Sequence, residues 1–316
     1  MTKPEDIFFF CNDPTRDPCA SNVFRELEKL SGVTQTGSEF DGFPVLCSHR
    51  ADGSVALFVR TQDVVSNDYA RYAGPLAERF SNIRLAVVVN WHEGANAPDR
   101  VLTFHSTGDV PSGIYGPTTP TLFSAYTRAL ERERQREGLT AYRTLIEATH
   151  WSGVMFGAEP DQVNAYPHPI YDMEVGSSPV CWADPRACAT LARVCVFGPE
   201  PITDGATMIY CGGVHFEENV TAAVLSGRWH VGHVLPNHWL VSGGYDGAGG
   251  TDKLGRCLAS YTETPTQLAV HKGLASRFKE GCMTFARLKQ LDAITHRQIR
   301  AGREAVDGAP SLIRAL

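Results

Sequence analysis

The sequence predicts an α/β protein with a mixed central sheet flanked by helices, and three observations support this prediction. The chain has 316 residues and 43% hydrophobic content, which is enough for a large core. Short apolar runs alternate with segments of helical periodicity, an order typical of α/β folds. No repeat, low-complexity tract or long linker divides the chain, so we expect a single compact domain over residues 1–316.

Four short runs rich in Val, Ile, Leu and Phe predict strands in the first third of the chain. They cover residues 7–11, 55–60, 84–90 and 101–105. Between the second and third runs, Tyr69, Tyr72, Leu76 and Phe80 recur at spacings of three and four, which predicts a helix. This strand, helix, strand order favours a parallel or mixed sheet.

The rest of the chain continues the alternation. The segment LFSAYTRALERERQRE, from residue 122, carries an apolar stripe before it becomes charged, and this predicts a surface helix. TAYRTLIEATH (140–150) predicts a second helix, and MIYCGG (208–213) predicts a strand that enters a glycine turn. Residues 275–305 predict a long basic C-terminal helix for packing or dimer contact, with nucleic-acid contact as an alternative.

Charge, hydropathy and cysteine pattern exclude several classes of protein. With 29 Lys+Arg against 35 Asp+Glu the net charge is −6, so nucleic acid is not an expected partner. The longest apolar runs are far shorter than the roughly 20 residues of a membrane helix. The N-terminus lacks the pattern of a signal peptide, so we expect a cytoplasmic protein. The nine cysteines form no CxxC pair, which predicts reduced, buried thiols and excludes a cysteine-only metal site.

Histidines concentrate at the ends of predicted elements. Because strand ends line the ligand crevice of open α/β sheets, these histidines predict a pocket. The alternative is that each imidazole only makes local hydrogen bonds. HExxH and HxxxH spacings are absent, so we expect no metal, and zinc is the less favoured alternative. The histidines at issue are His92, His105, His150, His215, His230, His233 and His238.

Two charged side chains near these ends are candidate catalytic groups. Glu93 directly follows a predicted strand, where a carboxylate partly removed from water suits a general base. The alternative is an exposed loop glutamate. Arg71 is a candidate clamp for a substrate carboxylate, or else part of a solvated helix face. Neither a GxGxxG after a strand nor a GxxxxGK[ST] or GxSxG motif occurs, so no bound cofactor is expected.

Five sequence blocks, in order, resemble the archaeal and plant D-aminoacyl-tRNA deacylases. They are WHEGANAPDRVLTFHSTGD, EATHWSG, DMEVGSS, CGGVHF and GHVLP, across about residues 84–236. The resemblance implies an α/β fold of the phosphorylase and peptidyl-tRNA hydrolase type, and zinc-dependent hydrolysis of the ester that joins a D-amino acid to tRNA. The positions that match the family pattern are His92, His105, Glu147, His150, Glu174, His215 and His233.

Several positions depart from that family pattern. Trp91 stands where the family has arginine, Trp151 replaces a histidine, Asp109 replaces an asparagine, and Glu93 is an additional acid. Added acids oppose phosphate charge, so we expect a small substrate, an apolar or aromatic amino acid held against rings. The expected substrate-binding residues are Trp91, His105, His150, Trp151 and His215.

A narrower resemblance is to the bacterial Pictet-Spengler enzymes that build the β-carboline skeleton in marinacarboline biosynthesis. It rests on chain length and on Glu93. It implies a homodimer of alkaloid secondary metabolism that cyclises L-tryptophan with an aldehyde. Glu93 would be the general base, Arg71 the carboxylate clamp and His92 a polarising group, with molecular oxygen as a possible oxidant. The alternatives are a D-aminoacyl-tRNA deacylase, which would use zinc or histidine to activate water, and a non-catalytic amino-acid-binding protein.

Overall fold

The computed structural model describes residues 3–80, 82–94, 97–201 and 204–301. Within these ranges, two short 3-10 helices cover Ser152–Phe156 and Pro160–Asn164. The strands are β1 (Glu5–Cys11), β2 (Thr34–Phe40), β3 (Phe43–His49), β4 (Val55–Thr61), β5 (Ile83–His92), β6 (Val101–Ser106), β7 (Gly108–Asp109), β8 (Ile114–Tyr115), β9 (Arg143–Ile146), β10 (Ile170–Gly176), β11 (Ala206–Cys211), β12 (Trp229–Leu235), β13 (Gln267–Val270) and β14 (Asp292–Thr295). The α-helices are α1 (Ala20–Glu28), α2 (Tyr69–Arg79), α3 (Pro120–Arg136), α4 (Pro179–Trp182), α5 (Pro185–Phe197), α6 (Glu218–Leu225), α7 (Asn237–Ser242), α8 (Ala248–Ala259), α9 (Ser276–Leu288) and α10 (His296–Ala301).

The chain divides into two compact units, where the sequence leads us to expect one domain. The backbone passes repeatedly from one unit to the other, so no single composition change or linker marks a boundary. Unit 1 consists of Met1–Phe104, Tyr126–Leu145 and Ser152–Pro201, and unit 2 of His105–Ala125, Ile146–Trp151 and Ile202–Leu316.

An eight-stranded mixed sheet, most of which lies in unit 1, has the order β2-β3-β4-β1-β5-β10-β6-β9. β1 runs parallel to both β4 and β5, β5 runs parallel to β10, and β3 is antiparallel to β2 and β4. In β1 every residue from Asp6 to Cys11 is buried, as expected for a central parallel strand covered on both faces. The predicted mixed α/β class is therefore confirmed.

The elements predicted from apolar runs and helical spacing are also present. The four predicted strands fall within β1, β4, β5 and β6, and the two helices predicted after residues 69 and 121 are α2 and α3. Their periodicity is local, so it can be read without knowledge of the partners. None of the helices in the part of the chain that the structure describes is long and apolar enough to cross a membrane. All nine cysteines are buried and free, as predicted.

The prediction of a helix over residues 140–150 is wrong. Residues Arg143–Ile146 form β9, at the edge of the sheet beside β6. Thr144, Leu145 and Ile146 are buried in succession, which leaves no helical face for solvent. The residues after Ile146 continue in extended and irregular backbone rather than in a helix.

Unit 2 contains a parallel four-stranded sheet with the order β12-β11-β13-β14. Its core includes Ile209, Leu235 and Leu268. The helix α9 packs Phe278, Cys282 and Phe285 into this core at spacings of four and three. The carboxyl ends of β13 and β14 lie side by side, since Val270 pairs with Thr295.

The single long helix predicted over residues 275–305 is divided in the structure. α9 ends at Leu288, and Gln290 adopts a φ of 57°, which is not helical geometry. The chain then forms β14, which pairs with β13 to extend the sheet, before α10 begins. Residues 302–305 lie outside the described residues. The helical pattern was correct only in part, because strand pairing with β13 depends on a segment distant in sequence.

Candidate functional site

The segment Ile146–His150 is the backbone centre of the candidate site in unit 2. Glu147 forms an isolated antiparallel bridge with Phe216. Three further backbone hydrogen bonds connect the segment to the end of β6, to the loop before α6 and to β12. They run from His150 N to Ser106 O, from Ala148 N to His215 O and from Thr149 N to Val234 O, at 3.2, 2.7 and 2.9 Å. Histidines distant in sequence are thereby brought together.

Four side chains converge here, and we call His105, Glu147, His150 and His215 the histidine cluster. Glu147 is 1% exposed. His215 Nε2 donates to Glu147 Oε1 at 2.6 Å, and His150 Nε2 lies 3.7 Å from the same oxygen. The rings of His105 and His150 stack with centroids 3.9 Å apart and planes inclined by 23°. A buried carboxylate is therefore surrounded by imidazoles.

The hydrogen bonds of His150 and His105 determine which ring nitrogen carries the hydrogen. His150 Nδ1 donates to the Ala148 carbonyl oxygen at 2.8 Å, and His105 Nδ1 donates to the Ser106 carbonyl oxygen at 3.2 Å. Burial lowers the pKa of His150 to about 3, and the nearby His105 lowers it further, while Glu147 opposes the shift. His150 is therefore neutral near pH 7, with the lone pair on Nε2.

His233 is fully buried and is bonded to Ser106 and Thr149, which neighbour the cluster residues in sequence. Its Nδ1 is 2.9 Å from Ser106 Oγ and 3.2 Å from Thr149 Oγ1, and its Nε2 is 3.0 Å from Ser260 Oγ. Burial lowers the pKa of His233 to about 3. Both ring nitrogens are thus bonded inside the protein, so this histidine supports the site instead of meeting a ligand.

An aromatic wall formed by His238 and Trp239 borders the cluster. The Trp239 ring lies 5.4 Å from His215, nearly perpendicular to it, and 6.1 Å from His150. The His238 ring is 4.7 Å from Trp239, and burial lowers the pKa of His238. Trp239 is a residue that sequence reasoning missed, although the crowding of His and Trp after GHVLP was a usable signal.

Three members of the cluster fit a metal ion. His105, Glu147 and His150 each offer one ligand atom, and these atoms all lie within 4.8 Å of one another. Two imidazoles and one carboxylate are a ligand set that catalytic zinc sites use. Because each histidine is oriented by a bond from Nδ1 to a backbone carbonyl, each presents Nε2 as the ligand. Glu147 and His150 share one short segment, but His105 comes from β6, so no single motif spacing contains the whole set.

Of the predicted site residues, His105, His150 and His215 come together in the cluster, while Trp151 belongs to the same unit and is 3% exposed. Glu147 was recognised only as a family match, and the structure places it at the centre. The usable signal was the spacing in EATH, which puts a carboxylate three residues before a histidine.

The other predicted residues belong to unit 1. Trp91 is half-buried and Glu93 is exposed, at and just after the end of β5. His92 is buried, with Nδ1 3.0 Å from Ser177 Oγ. This arrangement leaves Glu93 as a solvated loop carboxylate, the alternative interpretation given above.

Arg71 lies on α2 and is paired within unit 1. Its Nη2 is 2.5 Å from Asp41 Oδ1, and its side chain is 41% exposed. Arg71 and Asp41 both line a cavity of about 260 Å³. An arginine already paired with a carboxylate is poorly suited to clamp another one.

Comparison with known proteins identifies relatives. A family model described as D-aminoacyl-tRNA deacylase matches residues 79–294. The D-aminoacyl-tRNA deacylase of Methanoregula boonei is 31% identical over 51% of this chain and 35% of the relative, and that of Halobacterium salinarum is 25% identical over 69% and 43%. That of Pyrococcus abyssi is 24% identical over 70% of this chain and 78% of the relative. The chain thus spans 35% and 43% of the length of the first two.

A solved structure shares the fold. The crystal structure of a conserved protein of unknown function superimposes with a TM-score of 0.73 over 95% of this chain and 98% of that chain. The two sequences are 14% identical, so this likeness concerns the fold alone.

These findings overturn the Pictet-Spengler expectation. The matched family and the relatives are named deacylases, so the cyclisation of tryptophan with an aldehyde and the link to β-carboline alkaloids are wrong. The physical basis is also missing, because the proposed base Glu93 is exposed. The exclusion of nucleic acid is likewise unsupported, since these names include tRNA and net charge is only an average over the chain.

Proposed function

This chain belongs to the D-aminoacyl-tRNA deacylase family, and on that basis we propose that it hydrolyses the ester between a D-amino acid and tRNA. The observation that carries the proposal is the histidine cluster. Its four side chains all lie within the matched range 79–294, and they surround a buried carboxylate with imidazoles. Such a set has the groups that water-dependent ester cleavage requires.

Ester hydrolysis needs a base for the attacking water and a proton for the departing ribose oxygen. We assign both roles to His215, whose side chain is 32% exposed and so can meet water and substrate. Glu147 orients His215 through the 2.6 Å hydrogen bond to Nε2 and stabilises the imidazolium formed when water gives up its proton. His215 then returns this proton to the leaving oxygen.

His105 and His150 contribute fixed nitrogen atoms. Because His150 remains neutral, its Nε2 is an electron-pair donor over the whole physiological pH range. Zinc, which the family resemblance implies, would be held by His105, Glu147 and His150. When bound, it would polarise the ester carbonyl and lower the pKa of a coordinated water.

The aromatic wall supplies a surface for the substrate. Trp239 is half-buried beside His150 and His215. Its ring offers a flat apolar face on which the side chain of the amino acid or the terminal base of the tRNA stacks. The partner we propose is therefore an aminoacylated tRNA, in place of the free amino acid expected above.

The test is an assay of the purified full chain with a D-aminoacyl-tRNA and its L-aminoacyl counterpart. We expect release of the D-amino acid, and a fall in kcat of roughly 10²- to 10⁴-fold in His215→Gln. The exposed His49, on β3, provides the matched control His49→Gln, which retains full activity. Absence of hydrolysis, or equal activity of the two variants, would contradict the proposal.

Metal analysis tests the zinc assignment separately. We expect one zinc per chain in the purified protein and loss of the metal in His105→Ala. The control is again His49→Gln, which retains the zinc. A fully active protein that contains no metal would remove zinc from the mechanism and leave the pair of Glu147 and His215.

A further inference from the structure

A cavity of about 440 Å³ lies in unit 2, at the carboxyl ends of the parallel strands β13 and β14. The carboxyl ends of parallel strands are where α/β sheets hold ligands. The volume is within the range of about 300–1,000 Å³ that small-molecule sites occupy. The cavity shares no residue with the histidine cluster. Its lining residues are Val270, His271, Lys272, Lys279, Met283, Ile294, Thr295, His296 and Arg297.

The charge of the cavity is uniformly positive. Lys272, Lys279 and Arg297 line it, and none of its described lining residues is acidic. None of these three cations has an ion-pair partner within the described ranges. In contrast, Arg277, which shares α9 with Lys279, places its Nε 3.0 Å from Asp246 Oδ2. Lys279 Nζ donates one hydrogen bond to the Lys272 carbonyl oxygen at 2.7 Å and keeps two further hydrogens. The cavity therefore favours an anion.

The remaining walls are apolar and aromatic. Val270 and Ile294 are buried, and Met283 is half-buried. The rings of His271 and His296 lie 5.2 Å apart. The backbone N–H of Gly273 donates to His271 Nδ1, so the neutral His271 ring carries its hydrogen on Nε2 and is a further donor.

We propose that this cavity binds a nucleoside monophosphate unit. Its phosphate is held by Lys272, Lys279 and Arg297, and its base packs against Met283 and Ile294. A simple inorganic anion would satisfy the cations but leave the apolar wall in contact with water, without the gain from burying it. A ligand that combines a phosphate with a flat ring satisfies both. The proposal goes beyond the hydrolytic function and does not depend on it.

The first experiment measures binding of AMP, adenosine and inorganic phosphate to the full chain by calorimetry. We expect AMP to bind more tightly than either fragment, and both Lys279→Glu and Arg297→Ala to weaken AMP binding at least about tenfold. The matched control is Lys289→Ala, an exposed cation at the end of α9 outside the cavity lining, which leaves binding unchanged. Failure of AMP to bind, equal binding of phosphate, or equal affinity in all variants would overturn the proposal.

A second experiment distinguishes a free nucleotide from a nucleotide within RNA. Binding of tRNA is followed by fluorescence anisotropy with and without AMP. If the nucleotide belongs to RNA, AMP competes and Lys279→Glu weakens tRNA binding with a smaller salt dependence. If the ligand is a free nucleotide, AMP and the Lys279→Glu substitution leave tRNA binding unchanged. Either result supports the cavity, because both presuppose AMP binding that requires Lys279. Since no turnover is measured, failure here is distinct from failure of the hydrolytic function.

Discussion

Units 1 and 2 each bury a polar cluster, and the two clusters differ in their access to solvent. In unit 1 the carboxylate of Asp6 is 0% exposed and accepts hydrogen bonds from Arg50, Arg84 and Tyr126. The Arg50 side chain is 3% exposed and Tyr126 is 1% exposed, while the Arg84 side chain is 26% exposed. In unit 2 the carboxylate of Glu147 is equally buried, but its imidazole partners are 24% and 32% exposed. Asp6 therefore has two buried partners, Arg50 and Tyr126, whereas both imidazoles beside Glu147 can be reached by solvent.

The same contrast separates two histidines within unit 2. Burial lowers the pKa of both His150 and His233 to about 3. His233 is 0% exposed and has both nitrogens bonded to side-chain hydroxyls, whereas the His150 side chain is 24% exposed. A shifted pKa therefore does not distinguish a structural group from a reactive one. Access of solvent and substrate does.

Removal of the charge on Glu147 tests the reactive side of the comparison and has the largest expected effect. Glu147→Gln keeps the side-chain shape but no longer stabilises an imidazolium on His215, so we expect kcat to fall roughly 10²- to 10⁴-fold. The measurement is hydrolysis of D-aminoacyl-tRNA, with folding checked by thermal melting. The matched control is Glu133→Gln, which alters a carboxylate that is 2% exposed and bound by Arg132 and Arg193 in unit 1. Equal loss of activity in both variants would contradict the comparison.

Removal of Arg50 tests the polar cluster around Asp6 in unit 1. Arg50→Met leaves the buried Asp6 without one of its cations, and we expect the free energy of unfolding to fall by about 3–5 kcal/mol. Urea denaturation measures the change. The activity per folded molecule stays the same, because Arg50 belongs to unit 1 and only stabilises it. A destabilisation below about 1 kcal/mol would indicate that this network behaves like a surface ion pair.

The pH dependence of stability tests whether His233 is neutral and buried in the folded protein. His233 has a pKa of about 3 when folded and 6.5 ordinarily, so the unfolded chain binds more protons between these values. The stability that the neutral His233 contributes is fully present above pH 6.5. It is lost as the pH falls toward 3, with a slope of up to about 1.4 kcal/mol in the free energy of unfolding per pH unit. We expect His233→Gln to show a shallower loss of stability across this interval in urea titrations. An unchanged slope would contradict the neutral, buried state of His233.

The smallest effect is expected for the exposed ion pair of unit 1. Arg71→Ala removes the partner of Asp41, but the Arg71 side chain is 41% exposed, so solvent screens the interaction. We expect a loss of no more than about 1 kcal/mol in the free energy of unfolding, and unchanged hydrolysis. Urea denaturation alongside Arg50→Met provides the contrast. A loss as large as that of Arg50→Met would show that exposure does not govern these networks.

Local patterns in the sequence were sufficient for much of the fold and for the family. The apolar runs in β1, β4, β5 and β6 and the helical spacing in α2 are properties of neighbouring residues, so they are visible without a structure. The ordered blocks between residues 84 and 236 indicated the family that the comparisons support. In contrast, emphasis on the single residue Glu93 led to the wrong reaction, because its exposure depends on how the loop after β5 is packed.

The sequence by itself therefore determined the α/β class, the first strands and helices, the buried thiols and the histidines worth testing. Only the tertiary structure decided that residues 143–146 form an edge strand, that β14 divides the C-terminal helix, and that Glu147 lies at the centre of the cluster. The physical reason is that helical and apolar periodicity is local. The hydrogen bonds that join Ser106, Ala148, His150 and His215 connect segments far apart in the chain, and no short window of sequence contains them.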